Sequence, residues 1–303
     1  MRALVTGAGG FAGRHLVAHL RAEGDEVTAL GREVDVTDRP ALERVLAAQR
    51  PEAVYHLAAR THVGESWRRP AAFTRANVVG TASVLAAAER VVPTTTVVLV
   101  SSGEVYGAVL EAELPSAEGR ALAPQTPYAR SKVEAERLGR EAAGRGLRVV
   151  IVRPFTHVGP GQSLDFVVAA LSARLLRARA ADRPEVAVGD LSARRDVSDV
   201  RDVVRAYRLA ALLGDSGEAY NVAAGRDVAI ADLAGWLAEQ IYPAARFVRD
   251  ADLVRPLEIP VTRGDPRRLH VTTGWEPRIA LAATLSDVVT DVAARLGPGG
   301  ATN

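Results

Sequence analysis

Two residues four positions apart could carry out proton transfer. Tyr128 and Lys132 lie in the segment YARSK, within a run typical of a helix, so both side chains are expected on one helix face. An ordinary tyrosine has a pKa of about 10 and exchanges protons poorly at neutral pH. A nearby ammonium group favours the phenolate and lowers that pKa. Such a tyrosine could protonate a carbonyl oxygen as hydride arrives, or deprotonate an alcohol in the reverse direction.

A hydroxyl that could bind the same carbonyl oxygen precedes this helix. The segment VLVSSGEVYG is typical of a strand that ends at Ser101 and Ser102. Ligands in open α/β sheets lie at the carboxyl ends of strands. We therefore expect Ser102 to lie beside Tyr128 in one site.

A glycine-rich turn near the N-terminus could hold the phosphates of a dinucleotide. The segment LVTGAGGFAGRHL places this turn between a strand and a helix. Glycine allows the backbone to approach a ligand closely, and the N–H groups that begin a helix attract a phosphate. The strand–turn–helix context favours a dinucleotide site over a plain tight turn. The residues expected to bind the cofactor here are Gly7, Gly10, Phe11, Ala12 and Gly13.

The residues after the second strand bear on which dinucleotide binds. NAD-binding proteins place an acid there, which holds the ribose 2′-hydroxyl. Arg32 follows that position and suits a 2′-phosphate, which favours NADP(H). Glu33 leaves NAD(H) as the alternative. Asp35 and Val36 could hold the adenine edge, and Asp35 could instead cap a turn or a helix.

The composition is that of an ordinary globular protein without cysteine chemistry. Of 303 residues, 48% are hydrophobic and 24% are charged, and the formal net charge is +2. This charge gives no support to a nucleic-acid partner, and the lack of cysteine excludes disulfides and thiolate metal sites. No apolar run reaches the roughly 18–20 residues that span a bilayer, and strand-like sequence begins at Leu4, so we expect a cytoplasmic protein. No metal is expected, because the spacing of His62, His157 and His270 is not that of metal ligands.

Strand and helix patterns alternate along the first half of the chain. Strands are expected at 3–6, 26–30, 53–57, 96–100 and 148–152, and helices at 13–23, 40–49, 70–92 and 127–144. This alternation predicts the α/β class, with a doubly wound parallel sheet covered on both faces. Beyond it, prolines and glycines cluster and a helix is expected near 164–180. We expect a dinucleotide-binding domain over 1–155, to which 192–222 returns, and a smaller substrate lobe over 156–303.

These motifs resemble the extended short-chain dehydrogenase/reductase family, which includes nucleotide-sugar epimerases, dehydratases and reductases. The segments TGAGGFAG, YHLAA, SSGEVYG, YARSK and RPF occur in the family's order, and the resemblance covers nearly the whole chain. It implies a Rossmann fold and a catalytic triad of Ser102, Tyr128 and Lys132, with Tyr128 as the acid/base. It also implies that Lys132 binds the nicotinamide ribose. Further cofactor-site residues that it implies are Leu57, Ala58, Ala59 and Asn77.

Within the family, several segments are similar to those of the GDP-6-deoxy-4-keto-mannose reductases. These segments are THVGESW, RPFTHVGPGQSLDFVV, ARRDVSDVRDVVRAY and RPLEIPVTRGDPRRL. The similarity implies that Arg195 and Arg255 grip a nucleotide diphosphate, with Glu258 near the nucleoside. Guanidinium groups suit such bidentate phosphate contacts. Thr156 stands where the family pattern has an asparagine, and it could donate one hydrogen bond to the substrate.

The resemblance leaves several reactions open. The main expectation is NAD(P)H-dependent reduction of the 4-ketone of a nucleotide-bound 6-deoxyhexose. Glu104 could instead serve as the base of a 4,6-dehydratase, and an epimerase is a further alternative. An alternative of another class is a non-catalytic NADP sensor, which would not need to retain Ser102, Tyr128 and Lys132. We also expect a homodimer, in which the apolar stretches of 70–92 and 127–144 pack across a two-fold axis.

Overall fold

The computed structural model of the chain describes residues 1–253 and 258–297. Its strands are β1 (Arg2–Thr6), β2 (Glu26–Leu30), β3 (Ala53–His56), β4 (Thr96–Val100), β5 (Arg148–Pro154), β6 (Thr156–Val158), β7 (Glu185–Val188), β8 (Arg194–Asp199), β9 (Ala219–Val222), β10 (Asp227–Ala229), β11 (Arg246–Arg249) and β12 (Val261–Thr262). Its α-helices are α1 (Phe11–Ala22), α2 (Arg39–Gln49), α3 (Val63–Arg68), α4 (Pro70–Phe73), α5 (Gly80–Val91), α6 (Pro127–Gly144), α7 (Val167–Ala180), α8 (Val200–Leu213), α9 (Ile230–Ile241), α10 (Arg267–Thr273) and α11 (Leu281–Leu296). A π-helical segment, Thr74–Val79, joins α4 to α5.

Six of the strands form one parallel sheet in the order β2-β1-β3-β4-β5-β9. Its central strands are runs of buried residues such as Val97, Val98 and Leu99, as expected for strands covered on both faces. Because β1 lies between β2 and β3, the strand order reverses there, and a crevice opens between the carboxyl ends of β1 and β3.

Helices cover both faces of this sheet. On one face, α1 and α8 contribute Leu16, Leu20 and Tyr207 to the core. On the other face, α2 and α5 contribute Leu42 and Leu85, beside the buried small residues of α6. The predicted α/β class and doubly wound parallel sheet are therefore confirmed.

A second core adjoins the carboxyl end of the sheet. Strands β6, β10 and β12 pair with β8, and β7 pairs with β11. The helices α7, α9 and α11 enclose this core, which contains Leu171, Leu237 and Val288. Only Phe155 separates β5 from β6, so the second core begins where a central strand of the main sheet ends.

Several boundaries differ from those expected. The helix α1 begins at Phe11 rather than at 13, because Gly10 is its N-cap. The expected single helix over 70–92 contains the π-helical segment, whose wider turn carries Asn77. Strand β5 extends to Pro154 because β9 pairs with it there. Within residues 1–253 and 258–297, none of the helices combines the length and apolar character needed to cross a bilayer.

Candidate functional site

The glycine turn forms a cradle of bare backbone at the carboxyl end of β1. Gly7 has a φ of 70°, and a Cβ there would lie 2.7 Å from the backbone nitrogen of Ala58. A Cβ at Gly13 would lie 2.2 Å from the carbonyl oxygen of Gly7. A Cβ at Gly9 would meet nothing within 4 Å, so open space lies above that residue. The turn is thus closely packed at Gly7 and Gly13 and open to solvent at Gly9. The open side fits a phosphate that approaches the start of α1.

The residues after β3 lie against this turn. The backbone nitrogen of Leu57 donates to the carbonyl oxygen of Thr6 at 3.3 Å, and that of Ala58 donates to the Thr6 hydroxyl at 3.3 Å. Leu57, Ala58 and Ala59 are all half-buried. The two loops therefore meet at the carboxyl ends of β1 and β3, which is the place where dinucleotides bind in doubly wound sheets.

The two charged residues from which the sequence predicts the choice of dinucleotide, Arg32 and Glu33, follow β2. The carboxylate of the exposed Glu33 accepts a hydrogen bond from the Gly31 backbone at 2.5 Å, and backbone hydrogen bonds lower its pKa. A cavity of about 430 Å³ lies alongside, lined by residues that include Gly9, Gly31 and Glu33. Its basic lining residues are Arg14 and Arg21 of α1. Arg32 is exposed and is not among them.

Asp35 and Val36 have structural partners. The Asp35 carboxylate accepts hydrogen bonds at 2.9 Å from both the backbone and the hydroxyl of Thr37, and it pairs with Arg75 at 3.3 Å. These hydrogen bonds lower its pKa. Val36 lies beneath α5, where a Cβ at Gly80 would be 2.8 Å from its side chain. In this structure Asp35 caps a turn, the alternative that the sequence left open.

The proposed catalytic residues meet where β4 ends. Tyr128 and Lys132 lie in the first two turns of α6. The N-cap of this helix, Thr126, accepts a hydrogen bond from the Ala129 backbone at 3.0 Å. The Ser102 hydroxyl is hydrogen-bonded to the Tyr128 phenol. The Lys132 ammonium donates to the carbonyl oxygen of Val100 at 2.8 Å.

Burial has the largest effect on the pKa values of Tyr128 and Lys132. It raises the pKa of Tyr128 to about 12, against the lowering effect of the Ser102 hydrogen bond, while the negative charge of Glu104 raises it further. Burial also lowers the pKa of Lys132 to about 8, opposed by the charge of Glu136. The sequence predicts a lowered tyrosine pKa, whereas here the ammonium of Lys132 is bonded to Val100 and the phenol is protonated at neutral pH.

Asn77 and Glu104 border the same site. Asn77 is buried in the π-helical segment and donates to the Ser131 hydroxyl at 2.9 Å. Glu104 is half-buried in the 3₁₀ turn Gly103–Tyr106, and its backbone nitrogen donates to the Ser102 hydroxyl at 3.2 Å. Its negative charge raises the pKa of Tyr128, so its side chain lies near the phenol.

The expected substrate residues lie on neighbouring strands of the second core. Thr156 is half-buried on β6, opposite Val197 of β8, two residues beyond Arg195. Arg195 forms an ion pair with Glu258 and donates to the carbonyl oxygen of Ile259 at 2.7 Å. Its guanidinium thus holds the segment that enters β12. Arg255 lies outside the described residues.

The sequence interpretation missed two features of this site. Lys132 is the only lysine among 38 lysine and arginine residues, a signal that the printed sequence already contains. Arginine cannot take its place in an acid/base site, because the guanidinium stays charged at any ordinary pH. Glu136, one helical turn after Lys132, forms a fully buried ion pair with Arg153. The spacing of Tyr128, Lys132 and Glu136 could have indicated this second feature.

The comparisons with known proteins agree with this geometry. Residues 3–223 match the model of the NAD dependent epimerase/dehydratase family. The chain is 38% identical to the GDP-6-deoxy-D-mannose reductase of Pseudomonas aeruginosa over 301 residues, which is 97% of this chain and 98% of that protein. The structure of RMD from Pseudomonas aeruginosa complexed with NADPH has a TM-score of 0.88 at 35% identity, and covers 97% of this chain and 100% of its own.

A relative with a different activity is similar over the same length. UDP-glucose 4-epimerase of Thermotoga maritima, solved with UDP-glucose, has a TM-score of 0.90 at 29% identity and covers 98% of this chain and 100% of its own. The chain therefore belongs to the NAD dependent epimerase/dehydratase family, as the resemblance of its motifs predicts. Similarity over the whole length joins it to both reductases and epimerases, so the choice of reaction depends on the site.

Proposed function

We propose that this protein reduces the 4-ketone of a nucleotide-diphosphate 4-keto-6-deoxyhexose with NADPH. GDP-4-keto-6-deoxymannose is the first candidate substrate, because the P. aeruginosa relative is a GDP-6-deoxy-D-mannose reductase. The observation that carries the proposal is the meeting of Ser102, Tyr128 and Lys132 at the carboxyl end of β4.

The backbone cradle supports the cofactor part of the proposal. Gly10 would face the pyrophosphate, with Phe11 and Ala12 opening α1 beside it, and the close backbone packing at Gly7 and Gly13 would shape the turn that receives it. Leu57, Ala58 and Ala59 would form the facing wall, and Lys132 would reach the nicotinamide ribose. We propose NADPH as the preferred cofactor, with Arg32 near its 2′-phosphate and NADH as the alternative that Glu33 favours. When bound, the cofactor supplies the hydride that the ketone carbon receives.

The chain's own residues supply the proton and the orientation of the ketone. Tyr128, protonated at neutral pH, would donate its proton to the ketone oxygen as the carbon receives hydride. Ser102 would donate a hydrogen bond to the same oxygen and align it. The Lys132 ammonium would stabilise the phenolate that remains. The ketone becomes an alcohol, and solvent returns the proton to Tyr128.

The nucleotide sugar would lie across β6 and β8. Arg195 and Arg255 would bind the diphosphate, Glu258 the nucleoside and Thr156 the sugar. The fold supports this position, because β6 continues from β5 at the edge of the sheet where the proposed catalytic residues meet. The proposed division into a cofactor domain over 1–155, with 192–222, and a substrate lobe over 156–303 describes the same arrangement.

One observation keeps a dehydratase or an epimerase as the second candidate. The charge of Glu104 acts on Tyr128, so a carboxylate lies near the proposed acid and would be available as a base beside the ketone. A dehydratase or epimerase regenerates its bound cofactor in each turnover, whereas a reductase consumes NADPH in equal amount with substrate. Loss of reduced-nicotinamide absorbance with GDP-4-keto-6-deoxymannose, compared with dTDP-, UDP- and CDP-linked analogues, tests the proposal. Sugar conversion without NADPH consumption would overturn it.

We also propose a homodimer and a cytoplasmic location. A dimer could be formed by α5 and α6, and light scattering of the purified protein tests it. The cytoplasm is where NADPH and nucleotide sugars would both be available, and cell fractionation tests that location.

A further inference from the structure

Three successive residues at the end of β4 bind three successive turns of α6. The carbonyl oxygen of Val100 accepts from Lys132 at 2.8 Å, and the Ser102 hydroxyl binds the Tyr128 phenol. The residue between them in the chain, Ser101, donates from its hydroxyl to the Glu136 carboxylate at 2.5 Å. The first two contacts involve proposed catalytic groups, and the third lies one turn deeper in the protein.

Glu136 is the most deeply buried member of this stripe. Its side chain is 0% exposed, and that of its partner Arg153 is 1% exposed. The Arg153 guanidinium binds both carboxylate oxygens, through Nε at 2.9 Å and Nη2 at 2.7 Å. These contacts and the Ser101 hydrogen bond outweigh burial, so the Glu136 pKa lies below its usual range. The carboxylate is therefore ionised, fully bonded and fixed in position.

Arg153 extends this anchor across the sheet. Its Nη1 donates to the Tyr106 hydroxyl at 2.8 Å and to the carbonyl oxygen of Glu118 at 3.1 Å. The Tyr106 hydroxyl donates to Asn221 of β9 at 2.7 Å. One buried polar network thus joins α6 to β5, to β9 and to the turn that follows Ser102.

We propose that Glu136 is a positioning residue, which holds α6 in the register that brings Tyr128 and Lys132 to Ser102. It acts through Ser101 and Arg153 and does not touch substrate. A helix that merely packed against the sheet could slide or rotate by a fraction of a turn. A misplacement of about 1 Å can lower a catalytic rate by about 100-fold. The proposal rests on the proposed function only for its kinetic readout.

Glu136 also affects the charge of Lys132, which gives a second readout. The titratable groups around this ammonium are Tyr128 and Glu136 on α6 and His56 on β3. Arg153 on β5 and Arg140 on α6 both bind the Glu136 carboxylate. Glu136 raises the pKa of Lys132, and burial lowers it. Removal of the carboxylate charge should therefore lower the pKa of Lys132 below its value of about 8.

The single lysine makes this pKa directly measurable. Protein labelled with ¹³C-lysine should give one ε-carbon signal, because Lys132 is the only lysine in the sequence. We expect the signal to titrate at lower pH in Glu136→Gln than in the wild type. Glu134→Gln is the matched control, since Glu134 lies on the same helix, 42% exposed and paired with Arg137. It should titrate like the wild type.

The kinetic readout uses the same variants in the full chain. Glu136→Gln should lower kcat by about tenfold or more, with KM for the sugar changed by less than about twofold. The basic limb of its pH–rate profile should move to lower pH together with the lysine signal. Ser101→Ala removes the contact to Glu136 but keeps the buried ion pair, so it should fold normally and still lose kcat.

The outcomes are distinct. If Glu136→Gln and Ser101→Ala both match Glu134→Gln in kcat and in lysine titration, the proposal is wrong. If Glu136→Gln does not fold, Ser101→Ala decides: a lower kcat supports the positioning role, and an unchanged kcat overturns it. If the wild type reduces none of the tested nucleotide sugars, the proposed function fails. The lysine titration then still tests the link between Glu136 and Lys132.

Discussion

The side-chain nitrogen of Asn77 lies 2.9 Å from the hydroxyl oxygen of Ser131 and joins the π-helical segment to α6. The same Asn77 side chain accepts from the backbone nitrogen of Arg60 at 2.8 Å and donates to its carbonyl oxygen at 3.0 Å. Ser131 donates to the carbonyl oxygen of Tyr128 at 2.6 Å. One amide therefore binds both the loop after β3 and the first turn of α6. It thereby holds these two parts of the proposed active site in a fixed position relative to each other.

Replacement of this amide should disturb activity as well as stability. In Asn77→Ala, the backbone of Arg60 and the hydroxyl of Ser131 lose a buried partner, which should lower the free energy of unfolding by about 1–3 kcal/mol. The shift of α6 relative to the cofactor wall should lower kcat by about tenfold to 100-fold. Urea unfolding and steady-state reduction measure these effects. Ser131→Ala keeps the contacts to Arg60, so it should lower both the free energy of unfolding and kcat by less. A wild-type kcat in Asn77→Ala would contradict this account.

The Tyr128 hydroxyl should be indispensable for turnover but not for cofactor binding. Tyr128→Phe removes the proton donor and keeps the ring, so kcat should fall by about 100-fold to 10,000-fold. Binding of NADPH, measured by fluorescence quenching, should change little. Tyr242→Phe is a matched control, because this tyrosine lies at the C-terminal end of α9, where its hydroxyl binds Asp182. Equal turnover in Tyr128→Phe and Tyr242→Phe would refute the assignment of Tyr128 as the acid.

The charges after β2 should set the preference between NADPH and NADH. Arg32→Ala should weaken NADPH binding by about tenfold and leave NADH binding unchanged, because a charge-assisted phosphate contact contributes about 1.4 kcal/mol or more. Glu33→Gln should strengthen NADPH binding, since it removes a negative charge beside the 2′-phosphate. Titration calorimetry with both cofactors measures these changes, and Arg44→Ala, on the exposed face of α2, is the control. An unchanged NADPH affinity in Arg32→Ala would show that Arg32 does not bind the 2′-phosphate. The next candidates for that contact would be Arg14 and Arg21, which line the neighbouring cavity.

The sequence could predict the sheet and the position of the site because both depend on local patterns. Alternating strand and helix runs give a parallel sheet, and its carboxyl ends bring the glycine turn and Ser102 to one edge. The YARSK spacing likewise places Tyr128 and Lys132 on one helix face. These are properties of short segments, so they can be predicted without knowledge of the tertiary contacts.

The features that the sequence could not predict depend on pairs far apart in the chain. The network of Glu136, Arg153, Tyr106 and Asn221 joins residues up to 115 positions apart, and no local pattern relates them. The π-helical turn at Asn77 likewise depends on contacts with Arg60 and Ser131. The raised pKa of Tyr128 is a further case, since burial rather than the neighbouring charge determines its direction.

Stability should fall in acid because of a buried histidine. His56 at the end of β3 is 3% exposed, and its ring nitrogens bind the hydroxyls of Thr6 at 2.8 Å and Thr81 at 3.1 Å. Burial, with a smaller effect from Lys132, lowers its pKa to about 3. An unfolded histidine has a pKa of about 6.5, so below that pH the unfolded chain binds a proton that the folded chain does not.

The free energy of unfolding should therefore decrease as the pH falls from about 6.5 towards about 3, with His56 contributing up to about 1.4 kcal/mol per pH unit. Urea unfolding at about pH 7.5 and about pH 5.5 measures the slope. His56→Gln should be less stable at the higher pH and less sensitive to acid. Some sensitivity should remain, because burial also lowers the pKa of His19 and His157. His270→Gln, at an exposed position on α10, is the control, and an acid sensitivity in His56→Gln equal to that of the wild type rules out this role for His56.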